Sequence, residues 1–313
     1  MPPPDQVKQV AVIGGGTIGA SWASYFLAHG MRVAISDPNP AAEAYVRRFV
    51  ANAWPTLQQL GMAPGASPDA WSFHATPQEA VRGAQFVQEN APERMDVKRA
   101  LYASLEEALE PDTILASSSS GLMMSDLQAG LRTPGRFVIG HPFNPPHLIP
   151  LVEVVGGKLT TPETIAWCLD FYNGIGKKAI HIRREAPGHL ANRLQAALVR
   201  EAMHAVASGL ASVEDVDTAI TAGPGLRWAI MGPHMTLHLG GGEGGYPHML
   251  DQFGSVFEGW WKTMQTPEIN AELRQRLIEG VNQEAAGRSI AELSAERDRL
   301  LVEMMTMIAA HKK

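Results

Sequence analysis

The chain has 313 residues, of which 45% are hydrophobic and 19% are charged, as expected of a soluble globular protein with two domains. Its net charge of −6 gives no excess of basic residues of the kind that binds nucleic acid or an anionic membrane. No apolar run reaches the ~18 residues of a membrane span. The single cysteine excludes an intrachain disulfide and the first residues lack a signal-peptide pattern, so we expect a cytoplasmic location.

The first predicted strand leads into a glycine-rich turn. Val7 to Ile13 is typical of a buried strand, and Gly14-Gly15-Gly16-Thr17-Ile18-Gly19 follows at once, before a helical pattern that ends at Gly30. A second strand, Arg32 to Ser36, ends at Asp37. A G-x-G-x-x-G motif between strand and helix, with an acidic residue about 20 positions further on, is the fingerprint of dinucleotide binding. Asp37 would accept from a ribose 2′-hydroxyl and repel a 2′-phosphate, which predicts NAD rather than NADP.

Each residue of the glycine-rich motif has a physical task. Gly14 permits the tight turn, Gly16 lets the backbone approach the pyrophosphate, and Gly19 lets the helix pack on the strand. The helix N-terminus, at Thr17 and Ile18, faces the phosphates. A glycine-rich turn that binds no nucleotide is the alternative.

A long excursion follows the second strand. It is predicted to contain a helix over Pro40–Leu60, a short strand over Trp71–His74 and a helix over Pro77–Arg82 that is capped by Thr76. The next core strand, Phe86 to Gln88, ends in a predicted loop over Glu89–Met95. In open α/β sheets, ligands bind at such carboxyl ends of strands.

Four serines follow another predicted strand, Thr113 to Ala116, at the same kind of position. Ser117-Ser118-Ser119-Ser120 either forms a polar loop that caps the next helix or presents one hydroxyl to a reacting oxygen. A serine hydrolase is disfavoured because the chain has no G-x-S-x-G elbow.

Residues 137–155 give the strongest indication of catalysis. His141 follows the buried pattern Phe137-Val138-Ile139, and Glu153 lies within Leu151-Val152-Glu153-Val154-Val155, on an apolar face of the strand. A buried carboxylate is costly unless it is paired, and a histidine leaving the preceding strand is its natural partner. An imidazole held by a carboxylate is a general base of fixed tautomer. A structural ion pair at a domain edge is the alternative.

The parallel series of strands is predicted to end with Lys178–Ile182. Only helical patterns follow, over Gly188–Ser208, Val213–Ala222, Pro233–Leu239, Pro247–Phe257, Pro267–Glu284 and Arg288–His311. We therefore predict an α/β fold with a doubly wound, mostly parallel sheet over residues 1–184, and an all-α domain over residues 185–313. Residues 223–228 and 240–245 are predicted to be irregular. His234 and His238 have the spacing of helical metal ligands but no companion motif, so no metal is expected.

A set of motifs together resembles the 3-hydroxyacyl-CoA dehydrogenase family along essentially the whole chain. The motifs are Gly14-x-Gly16-x-x-Gly19 with Asp37, Ala91-Pro92-Glu93 with Lys98, Ser117 to Ser120, Gly140-His141-Pro142-Phe143-Asn144-Pro145, Glu153, and Pro187-Gly188-x-x-x-Asn192-Arg193. The resemblance implies a Rossmann-type domain, a helical domain that forms a homodimer, and an NAD-dependent dehydrogenase. The roles it implies are His141 as catalytic base, Glu153 as its partner, Ser120 and Asn192 as contacts of the reacting oxygen, and Glu93, Lys98 and Asn144 as cofactor contacts.

The expected substrate is a small L-3-hydroxy acid. Within the family, the chain is most similar to the short dehydrogenases of free hydroxy acids, which implies L-carnitine or a close relative first and L-gulonate second. A CoA carrier would need clustered basic residues, and the segment from Pro40 to Phe73 offers only Arg47 and Arg48. A quaternary ammonium instead suits aromatic faces, for which Phe143 and Trp228 are candidates.

Two alternatives to this function stay open, a short-chain 3-hydroxyacyl-CoA dehydrogenase and a non-enzymatic NAD(H)-binding structural protein. The joint presence of base, carboxylate, serine and asparagine favours an enzyme over the structural protein. The chain also departs from the family it resembles at two positions. His189 stands where the family usually has Phe, and Ser119 stands where it usually has Thr. Both departures bear on the substrate pocket.

Overall fold

A computed structural model of the chain describes residues 1–311, which divide into two compact units. The first unit runs from Met1 to Arg193 and the second begins at Leu194. The predicted domain boundary at residue 185 lies upstream of this division. Residues 185–193 belong to the first unit, where the backbone amides of Leu190 and Ala191 bind the side chain of Glu153.

One eight-stranded sheet organises the first unit. Its strands are β1 (Gln9–Ile13), β2 (Arg32–Ser36), β3 (Trp71–His74), β4 (Phe86–Glu89), β5 (Ile114–Ser117), β6 (Phe137–Pro142), β7 (Leu151–Gly156) and β8 (Lys178–Ile182). They lie in the order β3-β2-β1-β4-β5-β6-β7-β8. Strands β1 to β6 are parallel, which confirms the predicted doubly wound, mostly parallel sheet.

The prediction that the parallel series continues to the last strand is wrong. Strand β7 is antiparallel to β6, and β8 is parallel to β7. The physical reason is the length of the Pro-rich connection between Pro142 and Leu151, because a parallel crossover needs a dozen or more residues. This reversal places residues of β7 directly opposite the end of β6.

Helices cover both faces of the sheet. They are α1 (Thr17–Ala28), α2 (Ala42–Leu60), α3 (Pro77–Val81), α4 (Met95–Leu105), α5 (Met124–Leu127) and α6 (Pro162–Gly174). Thr76 caps α3 in a capping box with Glu79, as its position before Pro77 predicts. Because successive residues of a strand point to opposite faces, Val10 and Val12 join one core layer while Ala11 and Ile13 join the other.

The described part of the second unit is entirely helical, which confirms the predicted all-α region. Helix α7 (Ala191–Ser208) begins in the first unit, and α8 (Val213–Thr221), α9 (Pro224–Trp228), α10 (Pro233–Gly240), α11 (Gly245–Trp261), α12 (Ala271–Ala285) and α13 (Ile290–His311) follow. The irregular structure predicted for residues 223–228 and 240–245 is wrong. Helix α9 has only five residues, too few for a periodic signal, and residues 242–244 form a 3-10 turn.

Candidate active site

The antiparallel pairing of β6 and β7 brings His141 and Glu153 face to face. The two residues are direct partners in the strand register, and the His141 Nδ1 lies 2.9 Å from the Glu153 Oε2. Both side chains are buried. A carboxylate oxygen accepts, so Nδ1–H donates and the lone pair of the neutral ring is left on Nε2. That is the arrangement of a general base with a fixed tautomer.

The second oxygen of Glu153 binds the start of helix α7. Its Oε1 accepts from the backbone N–H groups of Leu190 at 2.9 Å and Ala191 at 2.8 Å. Burial alone would raise the pKa of Glu153, but the hydrogen bonds from His141, Ala191 and Leu190 outweigh it and lower the pKa. The carboxylate therefore stays ionised beside His141. Sequence reasoning missed these amides because they lie far along the chain from Glu153.

Glu93 organises the serine loop that follows β5. Its Oε1 accepts from the Ser119 hydroxyl at 2.7 Å and from the backbone N–H groups of Ser120 at 3.0 Å and Gly121 at 2.8 Å. Burial opposes ionisation, yet these hydrogen bonds and the nearby Lys98 lower the pKa of Glu93. The structure thus gives Glu93 a definite task in shaping the loop, beside the cofactor contact predicted for it.

Ser120 and Asn192 lie in the same unit as the histidine–carboxylate pair. Both are half-buried, and Asn192 directly follows the amides that hold Glu153. Neither the Ser120 hydroxyl nor the Asn192 amide has a hydrogen-bond partner among residues 1–311. Both groups are therefore available to a ligand.

Lys98 is sequestered inside the protein rather than presented to solvent. Only 1% of its side chain is exposed, and its ammonium donates to Glu89 Oε1 at 2.7 Å and to the Ala91 carbonyl at 3.0 Å. Glu89 also accepts from the hydroxyls of Tyr102 at 2.6 Å and Ser117 at 2.7 Å. This network holds the loop that carries Glu93. A signal for Glu89 was present in the sequence, since it ends the apolar strand β4 nine residues before Lys98.

The Pro-rich loop after β6 carries Phe143 and Asn144. The Phe143 ring lies edge-to-face with His141, with the ring centroids 5.4 Å apart, and Asn144 is exposed. Lys177, which sequence reasoning missed, donates to the carbonyls of Pro146 and Ile149 beneath this loop. Burial lowers the pKa of Lys177 to about 7. Trp228 lies in the second unit, where 43% of it is exposed.

His189 is a buried neighbour of the histidine–carboxylate pair. Its ring centroid lies 5.2 Å from that of His141, and its Nε2 lies 2.9 Å from the Ser119 carbonyl oxygen. Its backbone φ of 49° is in the left-handed region that non-glycine residues rarely adopt. The two departures from the family pattern, His189 and Ser119, thus lie in contact with each other.

The glycine motif has the shape that a dinucleotide requires. A Cβ at Gly14, whose φ is 95°, would lie 2.6 Å from the Asn90 carbonyl oxygen, and a Cβ at Gly19 would overlap the Gly14 carbonyl. Gly16, by contrast, faces open space at the start of α1, where Thr17 and Ile18 form the first turn. The exposed helix N-terminus and its backbone N–H groups fit a pyrophosphate.

A cavity of about 440 Å³ adjoins this turn. Its lining includes Gly14, Gly16, Asp37, Pro77 and Leu101, and is mostly apolar. The Asp37 carboxylate accepts from the backbone N–H groups of Gly15 and Asn39, each at 2.7 Å. An apolar chamber with one half-buried carboxylate at the end of β2 fits an adenosine with a free 2′-hydroxyl.

Three comparisons place the chain among known proteins. The model of the 3-hydroxyacyl-CoA dehydrogenase NAD-binding domain matches residues 9–186, and that of the 3-hydroxyacyl-CoA dehydrogenase C-terminal domain matches residues 188–273. The chain belongs to the 3-hydroxyacyl-CoA dehydrogenase family. It is therefore an NAD-dependent oxidoreductase, which confirms the predicted cofactor.

The relatives cover nearly the whole chain. An L-carnitine dehydrogenase of Streptomyces coelicolor is 52% identical over 97% of this chain and 96% of its own, and one of Pseudomonas putida is 43% identical over 100% and 97%. Among solved structures, 5-formyl-3-hydroxy-2-methylpyridine 4-carboxylic acid 5-dehydrogenase, an NAD+-dependent dismutase, matches with a TM-score of 0.84. It is 29% identical and covers 97% of this chain and 99% of its own.

The described residues offer neither a metal-binding cluster nor a membrane-spanning helix. Among residues 1–311, no cluster of three or more His, Cys, Asp or Glu side chains could hold a metal ion. His234 and His238 both contact Tyr246, through its hydroxyl and its backbone N–H respectively. Within the same residues, no helix is both long and apolar enough to cross a membrane.

Proposed function

We propose that this protein oxidises the 3-hydroxyl of L-carnitine to the ketone of 3-dehydrocarnitine, with NAD as the acceptor. The observation that carries this proposal is the 2.9 Å hydrogen bond between His141 and Glu153, in a chain whose L-carnitine dehydrogenase relatives match over nearly its full length. The alternative of a non-enzymatic NAD(H)-binding protein gives no reason for such a base to be retained.

The chemistry proposed for the chain's own residues is proton transfer and orientation. Because His141 Nδ1–H donates to Glu153, the Nε2 lone pair is free to take the hydroxyl proton of the substrate. The ionised Glu153 stabilises the imidazolium that forms. The Ser120 hydroxyl and the Asn192 amide hold the reacting oxygen, first as alcohol and then as ketone. Bound NAD, which the turn of Gly14 and Gly16 and the carboxylate of Asp37 would hold, would supply the hydride acceptor for the carbon that carries the hydroxyl.

The excursion around α2 supports a free acid over a CoA ester. Arg47 is already paired with Glu43 at 3.1 Å, and its guanidinium lies 4.9 Å from the centroid of the Trp71 ring. A carrier with several phosphates needs uncommitted cations, and Arg48 alone does not supply them.

We further propose that the protein is a cytoplasmic homodimer that assembles through its second unit. That unit exposes large apolar side chains, including 53% of Trp260 and 63% of Trp261. Exposed apolar surface of this kind typically marks a protein interface. Light scattering coupled to size exclusion is expected to give twice the mass of the 33.8 kDa chain.

The experiment that tests the function is a comparison of initial rates of NADH formation. The purified protein is given L-carnitine, L-gulonate and 3-hydroxybutyryl-CoA separately, each with NAD. We expect L-carnitine to have the highest kcat/KM and L-gulonate the next. If 3-hydroxybutyryl-CoA is turned over far better than either free acid, the substrate assignment is wrong and only the dehydrogenase chemistry stands.

A further inference from the structure

One buried acceptor in the candidate site has no partner. His189 is only 3% exposed, and its Nδ1 is one of three buried side-chain polar atoms without a hydrogen-bond partner among residues 1–311. Buried polar atoms are almost always paired, so each exception needs a reason. The ring centroid of His189 lies 5.2 Å from that of His141, so the unpaired atom belongs to a side chain beside the proposed base.

The tautomer of His189 follows from its one hydrogen bond. The Ser119 carbonyl, 2.9 Å from Nε2, can only accept, so Nε2 carries the hydrogen and the Nδ1 of the neutral ring carries a lone pair. Burial lowers the pKa of His189, and although the hydrogen bond to Ser119 acts in the opposite direction, the net shift is downward. His189 therefore presents an uncharged, electron-rich atom.

The Glu153 carboxylate and one oxygen of Glu93 already hold other groups, and the Ser120 hydroxyl and the Asn192 amide are assigned to the reacting oxygen. Glu153 uses Oε2 for His141 and Oε1 for two backbone amides, and Glu93 Oε1 serves the serine loop. A small 3-hydroxy acid brings three groups to such a site. Its hydroxyl needs the base, and its carboxylate would be repelled by a lone pair. The third group is the head group at the end of the substrate opposite the carboxylate, and this is the group that an uncharged acceptor can attract.

We propose that His189 determines specificity by contacting, through Nδ1, the positively charged head group of the substrate. A trimethylammonium places its charge on the methyl hydrogens, which make weak C–H contacts to a lone pair, whereas an alkyl chain leaves the lone pair unpaired. This inference rests on the proposed function, and it assigns the cationic end of that substrate to the neighbourhood of His189.

The test compares two substrates of matching configuration, L-carnitine and 3-hydroxybutyrate, which differ in the head group. The measured quantity is the ratio of their kcat/KM values in the wild type and in His189→Phe, whose ring keeps much of the volume but has no acceptor. We expect the ratio to fall by about 10- to 100-fold. Damage to the fold or to the base lowers both rates together and leaves the ratio unchanged, so the ratio isolates the head-group contact.

Two further variants complete the design. His189→Gln keeps a donor for Ser119 and an acceptor in the same amide, and is expected to retain most of the ratio. His181 is an exposed histidine on β8, and His181→Phe is therefore the matched control, which should leave the ratio of the two kcat/KM values unchanged. If His189→Phe does not fold, His189→Gly replaces it, since glycine accepts the left-handed backbone and likewise removes the acceptor.

The outcomes separate the two proposals. A ratio in His189→Phe or His189→Gly within about threefold of the wild type, with L-carnitine still oxidised, overturns the role of His189 and leaves the proposed function standing. A wild-type enzyme that ignores L-carnitine and prefers 3-hydroxybutyryl-CoA overturns both.

Discussion

Two buried carboxylates of the same sheet, Glu89 and Glu153, show how similar surroundings lead to different tasks. Each is fully buried, and each accepts hydrogen bonds on both of its oxygens. Glu89 is paired with Lys98, whose ammonium lies inside a closed network. Glu153 is paired with His141, whose second ring nitrogen has no partner among the described residues. Burial of a charge therefore does not by itself indicate catalysis, whereas an uncommitted proton-accepting atom on its partner does.

Removal of the base should change activity more than any other substitution considered. His141→Gln should lower turnover by roughly 10²- to 10⁴-fold, because the glutamine amide cannot take the hydroxyl proton. Affinity for NADH and the melting temperature should stay near those of the wild type. Rates of NADH formation and NADH fluorescence titration measure the two quantities. Turnover within a few-fold of the wild type would remove His141 from the mechanism.

The corresponding change in the other pair should act on stability instead. Lys98→Met leaves the Glu89 carboxylate buried without its cation, and we expect it to lower the free energy of unfolding by about 3–5 kcal/mol. Chemical denaturation measures this loss. The exposed Lys158→Met is the matched control and should change the value by less than about 0.5 kcal/mol. An equally stable Lys98→Met protein would show that the network does not hold the loop.

Acid should weaken the protein partly through Glu153. Its folded-state pKa is lowered, so its ionised form contributes stability that is complete above the unfolded pKa, near 4.5, and is lost as the pH falls through the lowered value. Glu153→Gln should therefore reduce the loss of stability below pH 4.5. Urea unfolding over that pH window measures it. An identical pH dependence of the unfolding free energy in both proteins would mean that the hydrogen bonds of ionised Glu153 do not stabilise the fold.

The smallest expected effect concerns a third carboxylate, which is only half-buried. Asp37→Ala should narrow the preference for NAD over NADP by about tenfold, because it removes a charge that repels a 2′-phosphate. The ratio of kcat/KM values for the two cofactors at equal, low concentration measures the preference. A wild type that is faster with NADP would contradict the assignment of Asp37 at once.

The sequence predicted those features that depend on local pattern. Alternation along β7 placed Glu153 on a buried face, and the spacing from Gly14 to Asp37 predicted the cofactor turn. It could not predict contacts that arise between distant segments. The amides of Leu190 and Ala191 reach Glu153 only because β7 turns back beside β6, and the Tyr102 and Ser117 hydroxyls meet at Glu89 only in the folded sheet. Helix α9 escaped prediction because five residues carry no periodicity.

In the proposed mechanism, Glu153 acts on the chemistry through His141, whereas Glu89 has no such role. The most direct test is the pH dependence of kcat/KM in the wild type, Glu153→Gln and Lys98→Met, with the best substrate of the rate comparison. The acid limb of this profile reports the protonation of the base in the free enzyme. We predict that Glu153→Gln moves the acid limb to lower pH, because the imidazolium loses its counter-charge, while Lys98→Met leaves it in place. An acid limb that is unchanged in Glu153→Gln would show that Glu153 does not act through His141.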